Sequence, residues 1–579
     1  GNSHFYAGFS VDELHLNQLA VEILRDTHAV IPSLRDMEAC DAVFVLGEDL
    51  TQTAPRIALA LRQAVKNAAV QAAGKLKVAT WQDAAIQTIG LNQKSPLYIA
   101  SVIETRLDDV STSCYRASPD DLARFGFAIA HAIDNSSPAV PDIDASTTAL
   151  AQAIAAQLLA ANKPLIICGT SIMSADCLKA SANISAALAR KEKSVALSLV
   201  FQEANSLGAT MLGGDSVQAA LEALVSGQAD ALIVLENDLY RRADAALVDA
   251  ALAKATTVVV LDHQHTQTLE KAHFVLSAAS FVEGDGTLVN QEGRAQRFFQ
   301  VYDPAYYQPD TLIKESWRWL HALHCCQLDK SIDWTQLDEV TTACAQDFPS
   351  LAGITEAAPS ANYRILGRKI ARQPIRYSGR TAMRANISVH EPRASQDPDS
   401  ALAFSMEGFG GAKEPGALIP FAWSPGWNSP QAWNKFQDEV GGHLASGDPG
   451  VRLITPTSQS AYYSPSLNTV GQEQGHLKVV PLYHIFGSEE LSAKAPAMEN
   501  RIPAAYVALS RSDADYLQVS SGSLIELHIN NSTCTLPVNV SESLAAGTLG
   551  LPIGLNGIPF FNGSSWASVR SVLQGGSTL

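Results

Sequence analysis

The sequence has no C-x-x-C pair among its eight cysteines, Cys40, Cys114, Cys168, Cys177, Cys325, Cys326, Cys344 and Cys534. That removes the local ligand grouping of an iron–sulfur cluster and points to scattered thiols in a reducing cytoplasm. No G-x-G-x-x-G follows a strand and no G-x-x-x-x-G-K-[ST] occurs, so neither dinucleotide nor P-loop nucleotide binding has a basis here. There is no nucleophile elbow, which leaves hydrolase chemistry unsupported. No apolar run approaches the ~18–20 residues of a membrane helix; the nearest, Ala149 to Ala161, is interrupted by Gln152 and Gln157. Basic residues are in short supply, 41 against 58 acidic ones, for a formal charge of −17. A surface of that sign repels phosphates, so neither nucleic acid nor an anionic membrane is an expected partner. Initiator methionine and signal peptide are missing too; the leading Gly1 reads as a protease remnant, with an upstream part of the natural protein expected beyond it.

What is present is a globular composition, 46% hydrophobic and 17% charged over 579 residues, enough for several domains. Helical spacing over Asp12 to Arg25 leads into the apolar run Asp41 to Gly47 and a Pro55-started helix to Lys66. Strands are predicted at Leu76 to Ala79 and Leu97 to Ile103, and a helix at Asp120 to Ile133. Residues 134–144 have linker composition. The alternation restarts at Pro164 to Gly169 and continues through strands at 195–200, 231–235 and 258–262. These readings predict two doubly wound α/β domains, 1–144 and 145–316, an irregular cap at 317–502 and a β-barrel at 503–579. Ligands of such sheets lie beyond the strands' carboxyl ends, here the loops after Gly47, Gly169, Leu235 and Leu261.

Several residue groups invite chemistry. His321, His324 and Cys325 share a predicted helix face, but no fourth zinc ligand stands nearby, and core packing beside Trp317 and Trp319 is the simpler reading. His263 and His265 follow a strand's end, where they either line a site or are solvated. Arg364, Arg368, Lys369, Arg372, Arg376, Arg380 and Arg384 concentrate positive charge in an acidic chain. They suit a phosphate or RNA cradle, a docking face for an acidic partner, or internal pairing.

The stretches Asp262-His-Gln-His-Thr-Gln-Thr268, Ala272 to Leu276 and Phe281 to Gln296 are the most specific. Glu283, Gly286, Thr287, Asn290, Glu292, Gly293, Arg294 and Gln296 match E-x-x-G-T-x-x-N-x-E-G-R-x-Q, and the chain thereby resembles the molybdopterin oxidoreductase superfamily. The resemblance implies a formate dehydrogenase/DMSO reductase-like fold: two Rossmann-like domains and a C-terminal double-psi barrel. It implies candidate residues of a vestigial pterin cleft at Glu48, Asp49, Asn237, His263, His265, Glu283, Asn290 and Arg294. His273, Ser277, Leu235 and Asp238 depart from the family pattern, and the four-Cys cluster motif is absent, so metal support is weakened. The retained motif serves either cofactor binding or domain anchoring through Glu292 and Arg294.

Residues 376–386, 404–408 and 420–433 further resemble the insertion of the large iron–sulfur subunits of bacterial NADH–quinone oxidoreductase, respiratory complex I. This implies a C-terminal portion acting as scaffold and docking surface on the cytoplasmic face of the inner membrane, beside other peripheral-arm subunits. No cofactor is expected in this chain; 2Fe-2S and 4Fe-4S clusters are expected in the full-length parent, upstream. The alternatives are an active molybdopterin-dependent oxidoreductase and a binding module for a small anionic ligand at the loops after Gly47 and Gly169.

Overall fold

The computed structural model describes residues 4–80, 82–327, 334–357, 404–405, 408–409, 450–457, 461–465, 476–530, 532–563 and 565–571. The chain divides into two compact units, one of residues 1–65, 95–354 and 452–579, the other of residues 66–94 and 355–451. The basic cluster from Arg364 to Arg384 lies outside the described residues.

In the larger unit, five parallel strands form one sheet in the order β3-β2-β1-β4-β5. They are β1 (Ala42–Leu46), β2 (Leu97–Ser101), β3 (Ser113–Arg116), β4 (Pro164–Gly169) and β5 (Ala196–Val200). Every residue of β1 is buried, as a parallel strand covered on both faces requires. Val43 and Val45 pack with Ile57 and Leu61 of the helix Pro55–Val65, whereas Phe44 meets the ring of Phe125 edge-on at 6.2 Å. A second sheet holds β6 (Ala231–Leu235), β7 (Thr257–Asp262) and β8 (Phe274–Ser277), again parallel.

The E-x-x-G-T stretch is a hairpin of β9 (Gly286–Val289) and β10 (Arg294–Phe298). Gly293 turns it at φ +66°, and a Cβ on Gly286 would lie 2.2 Å from the Phe298 ring, so both glycines are explained sterically. Six strands close a barrel: β11 (His476–Leu482), β12 (Val507–Ser510), β13 (Leu524–Ile529), β14 (Ser532–Ser541), β15 (Thr548–Pro552) and β16 (Trp566–Ser571). Ile525, Leu527, Val538 and Leu549 are among the side chains that fill it.

Three expectations change. β4 pairs directly with β1, so the polar residues 134–144 do not separate two sheets; they are a surface connection inside one. The barrel starts at His476, inside the predicted cap, because β11 contains Pro481, a residue that demotes a strand in a sequence reading. In the smaller unit, Leu76 to Ala79 is no strand but the end of the helix Asn67–Lys75. Lys77 takes φ +59° and the Val78 amide bonds Ala73 O at 3.1 Å, a left-handed cap that imitates apolar alternation. Val78 packs there on Ala69, Ala73 and Ile86.

The thiols differ in exposure. Cys40, Cys168 and Cys177 are buried, while Cys114, on edge strand β3, and Cys326 are exposed, and none of the eight forms a disulfide among the described residues. Among the described residues no helix is long and apolar enough to cross a membrane.

Candidate functional site

Strands β1, β4, β5, β6 and β7 send their carboxyl-terminal loops to one cleft of about 670 Å³, which loops of the barrel complete. Parallel sheets place ligand sites at that end, above all where strand order reverses, here between β1 and β4. Two residues at its wall, Met173 and Glu236, hold left-handed backbones at φ +55° and +47°. Non-glycine residues in that region are costly and cluster at functional or formerly functional sites.

The reversal point itself is filled by protein. Glu48 follows β1, is 1% exposed, and accepts from the Ser171 amide after β4 at 3.2 Å and from the Thr53 hydroxyl at 3.1 Å. A Cβ on Gly169 would lie 2.3 Å from Glu48 Oε1, so β4 ends in glycine to admit this carboxyl. Burial raises the Glu48 pKa to about 7 against the opposing hydrogen bonds of Ser171 and Thr53. Asp49 caps the next turn, accepting from the Thr51 amide at 3.1 Å, and burial raises its pKa as well.

Two adjacent guanidiniums anchor the ion pairs of the cleft. Asp238 opens the turn Leu239–Arg241 and accepts from the Thr268 hydroxyl at 2.7 Å; that hydroxyl in turn accepts from the Leu239 amide at 2.8 Å. Thr268 therefore fixes the loop that presents Arg241 and Arg242. Arg242 pairs with Glu13 at 3.0 Å and with Glu203, and its Nε donates to Asn237 at 3.3 Å. Burial opposes its charge, but Glu203 and Glu13 outweigh this and raise the guanidinium pKa; Arg242 in turn lowers that of Glu203. Arg241 pairs with Glu490 at 3.0 Å and donates to the carbonyls of Ser488 at 2.6 Å and Gly554 at 3.2 Å, tying the loop to the barrel. Burial raises the Glu490 pKa, with partial relief from Arg241 and Arg242. Around the cleft stand six carboxylates, of Asp12, Glu13, Glu203, Glu236, Glu489 and Glu490, and these two guanidiniums.

The eight sequence candidates do not converge on the cleft. His263 lines it, with Nδ1 3.9 Å from Glu236 and 3.7 Å from Asp262. Glu48 and Asp49 stand behind its wall residues Gln52 and Thr53, and Asn237 holds Arg242 and the Gly8 carbonyl, the latter at 2.9 Å. His265 is exposed and 3.8 Å from Glu270. Glu283 accepts from the Ser280 amide at 2.9 Å and hydroxyl at 2.8 Å, closing a turn. Asn290 accepts from the amides of Glu292 and Arg294 at 2.9 and 3.1 Å within the hairpin. Arg294 pairs with Glu292 at 3.1 Å, and Arg452 stands 3.7 Å from the same carboxylate. Glu283, Asn290 and Arg294 thus organise the hairpin away from the cleft wall.

His321 Nε2 lies 3.3 Å from Cys325 Sγ, with its ring stacked on Trp334 at 5.8 Å. No group of three His, Cys, Asp or Glu able to hold a metal occurs among the described residues, and no cysteine is among those that line the cleft. Sequence reading missed Glu13, Glu203, Arg241, Arg242 and Glu490. The signal within reach was the Arg241-Arg242 doublet just after a strand whose end departs from the family pattern.

The molybdopterin oxidoreductase family model matches residues 127–323. Acetylene hydratase from Pelobacter acetylenicus superposes with a TM-score of 0.51 at 12% identity, over 97% of this chain and 81% of that one, a likeness of fold. The G subunit of NADH-quinone oxidoreductase from Pseudomonas fluorescens is 57% identical over 560 residues, which are 96% of this chain and 62% of the relative. Its counterpart in Escherichia coli (strain K12) is 51% identical over 576 residues, 99% of this chain and 63% of the relative. The chain thus spans less than two thirds of the length of these curated relatives. Over nearly all of its length the chain is thus similar to part of the G subunits of NADH-quinone oxidoreductase, on a molybdopterin oxidoreductase fold.

Proposed function

We propose that this chain is the scaffold portion of a subunit that takes part in NADH-to-quinone electron transfer, and that its pterin cleft has been rebuilt as a structural joint. The carrying observation is that Arg241 and Arg242, the guanidiniums of the cleft, are consumed by Glu13, Glu203 and Glu490. A molybdopterin cofactor brings phosphates and a metal, and requires free cations and a side-chain or open metal position. The cleft wall offers surplus carboxylates instead, and Glu48 fills the reversal point. These residues do not fit the pterin, and no catalytic step passes through it. Iron–sulfur clusters of the 2Fe-2S and 4Fe-4S types belong, in this reading, to the remaining length of the parent protein.

The scaffold works by docking other peripheral-arm subunits at the cytoplasmic face of the membrane, and the basic segment Arg364 to Arg384 supplies the docking charge. An acidic chain that concentrates seven cations there keeps them for a complementary partner, which governs association and specificity more than stability. Reversing Arg376 and Arg380 to Glu is expected to leave the melting temperature of the isolated chain unchanged while lowering the amount of assembled NADH–quinone oxidoreductase in membranes several-fold. Loss of folding in the isolated chain would show that the segment is paired internally; full assembly would remove the docking role.

A further inference from the structure

We propose that the cleft, no longer suited to an anionic cofactor, binds a small organic polycation of the di- or polyamine class. Its volume of about 670 Å³ is that of a small-molecule site. Six carboxylates against two already paired guanidiniums make its field negative, which repels the anionic ligand that the sequence alone allows and attracts a cation.

A second observation, independent of charge, specifies hydrogen-bond donors. Tyr483, His263 and Gln264 line the cleft, and the Tyr483 hydroxyl, His263 Nδ1 and Gln264 Oε1 are buried atoms with no hydrogen-bond partner among the described residues. Buried polar atoms left in this state are rare, because an unmade bond leaves their desolvation uncompensated. All three can accept from N–H groups, the imidazole nitrogen in its Nε2–H tautomer. Glu236 adds a charged acceptor: its Oε1 accepts from the Ser316 hydroxyl, and its Oε2 faces His263 at 3.9 Å. Ammonium groups carry several N–H donors and a positive charge, which meets both conditions. The apolar walls at Ile485, Ile553 and Phe560 suit the methylene spacers between such groups.

Calorimetric titration of the purified chain with spermidine, at ionic strength held constant with sodium chloride and near neutral pH, tests this. Saturable binding at one site per chain is expected. Tyr483→Phe removes a hydroxyl that bonds nothing among the described residues, so its melting temperature stays at or above the parent's while spermidine affinity falls about tenfold, the worth of one charge-assisted bond. Glu236→Gln, which keeps the acceptor for Ser316, weakens binding by at least about tenfold. Asp310→Asn, an exposed acid outside the cleft, leaves it unchanged. The proposal fails if no saturable site appears, if Asp310→Asn costs as much as Glu236→Gln, if neither cleft variant changes the affinity, or if inorganic diphosphate binds the cleft more tightly than spermidine.

Discussion

Arg242→Met is expected to lower the chain's stability by about 3 kcal/mol, the cost of leaving a buried charge without its partner. The methionine roughly keeps the volume, so the loss is electrostatic. Glu13 is the carboxylate stranded in a buried setting, its side chain 10% exposed, whereas the Glu203 side chain, 50% exposed, turns to water. Glu13 also has its other oxygen on the Ser10 amide at 2.9 Å, in the capping box of the helix Val11–Arg25, so the helix start loosens with it. The triple variant Arg242→Met, Glu13→Gln, Glu203→Gln should recover most of the loss, because a glutamine keeps the capping acceptor and carries no charge to desolvate. Chemical denaturation of the three chains checks this. A single variant as stable as the parent would mean that the cleft's ion pairs do not hold the joint.

Glu48→Gln is expected to abolish a pH dependence of similar size. Burial raises the folded pKa to about 7 from the ordinary value of 4.5, so between those values the native chain binds a proton that the unfolded chain releases. Stability therefore falls as pH rises from about 4.5 to about 7 and is level above that, by about 3 kcal/mol in all for this group. Glutamine can accept from Ser171 and donate to Thr53 as the protonated acid does, and it cannot ionise. The variant should match the parent near pH 4.5 and exceed it by about 3 kcal/mol at pH 8. Parallel stability curves for parent and variant across this range would show that Glu48 ionises as it does in water.

Both residues show how much of the molecule is legible in the sequence. β1 and β4 are readable because each is a continuous apolar run closed by glycine, the mark of a doubly covered parallel strand. The hairpin motif is readable as a unit, since its side chains bond within a few residues of one another. The ion pairs of Arg242 join residues 229 and 39 positions apart, and no local pattern marks such a meeting. Glu48 is a candidate from sequence, but its role depends on Ser171 being brought across by the pairing of β4 with β1. His263 and His265 look alike on paper, yet in the loop after β7 the first lines the cleft and the second faces solvent. β11 is hidden by Pro481, tolerated because the described ladder to β16 ends at Lys478 and leaves the proline paired on one side, with Leu551 of β15.

The central claim is that a pterin cleft has become a joint of paired side chains. Its most direct test is the molybdenum, tungsten and pterin content of the chain, purified from cells that make the molybdenum cofactor and measured by elemental analysis together with pterin fluorescence after acid oxidation. The account predicts no stoichiometric metal and no pterin, in the parent and equally in Arg242→Met. One molybdenum or tungsten per chain accompanied by pterin would contradict it, and would return the cleft to redox chemistry.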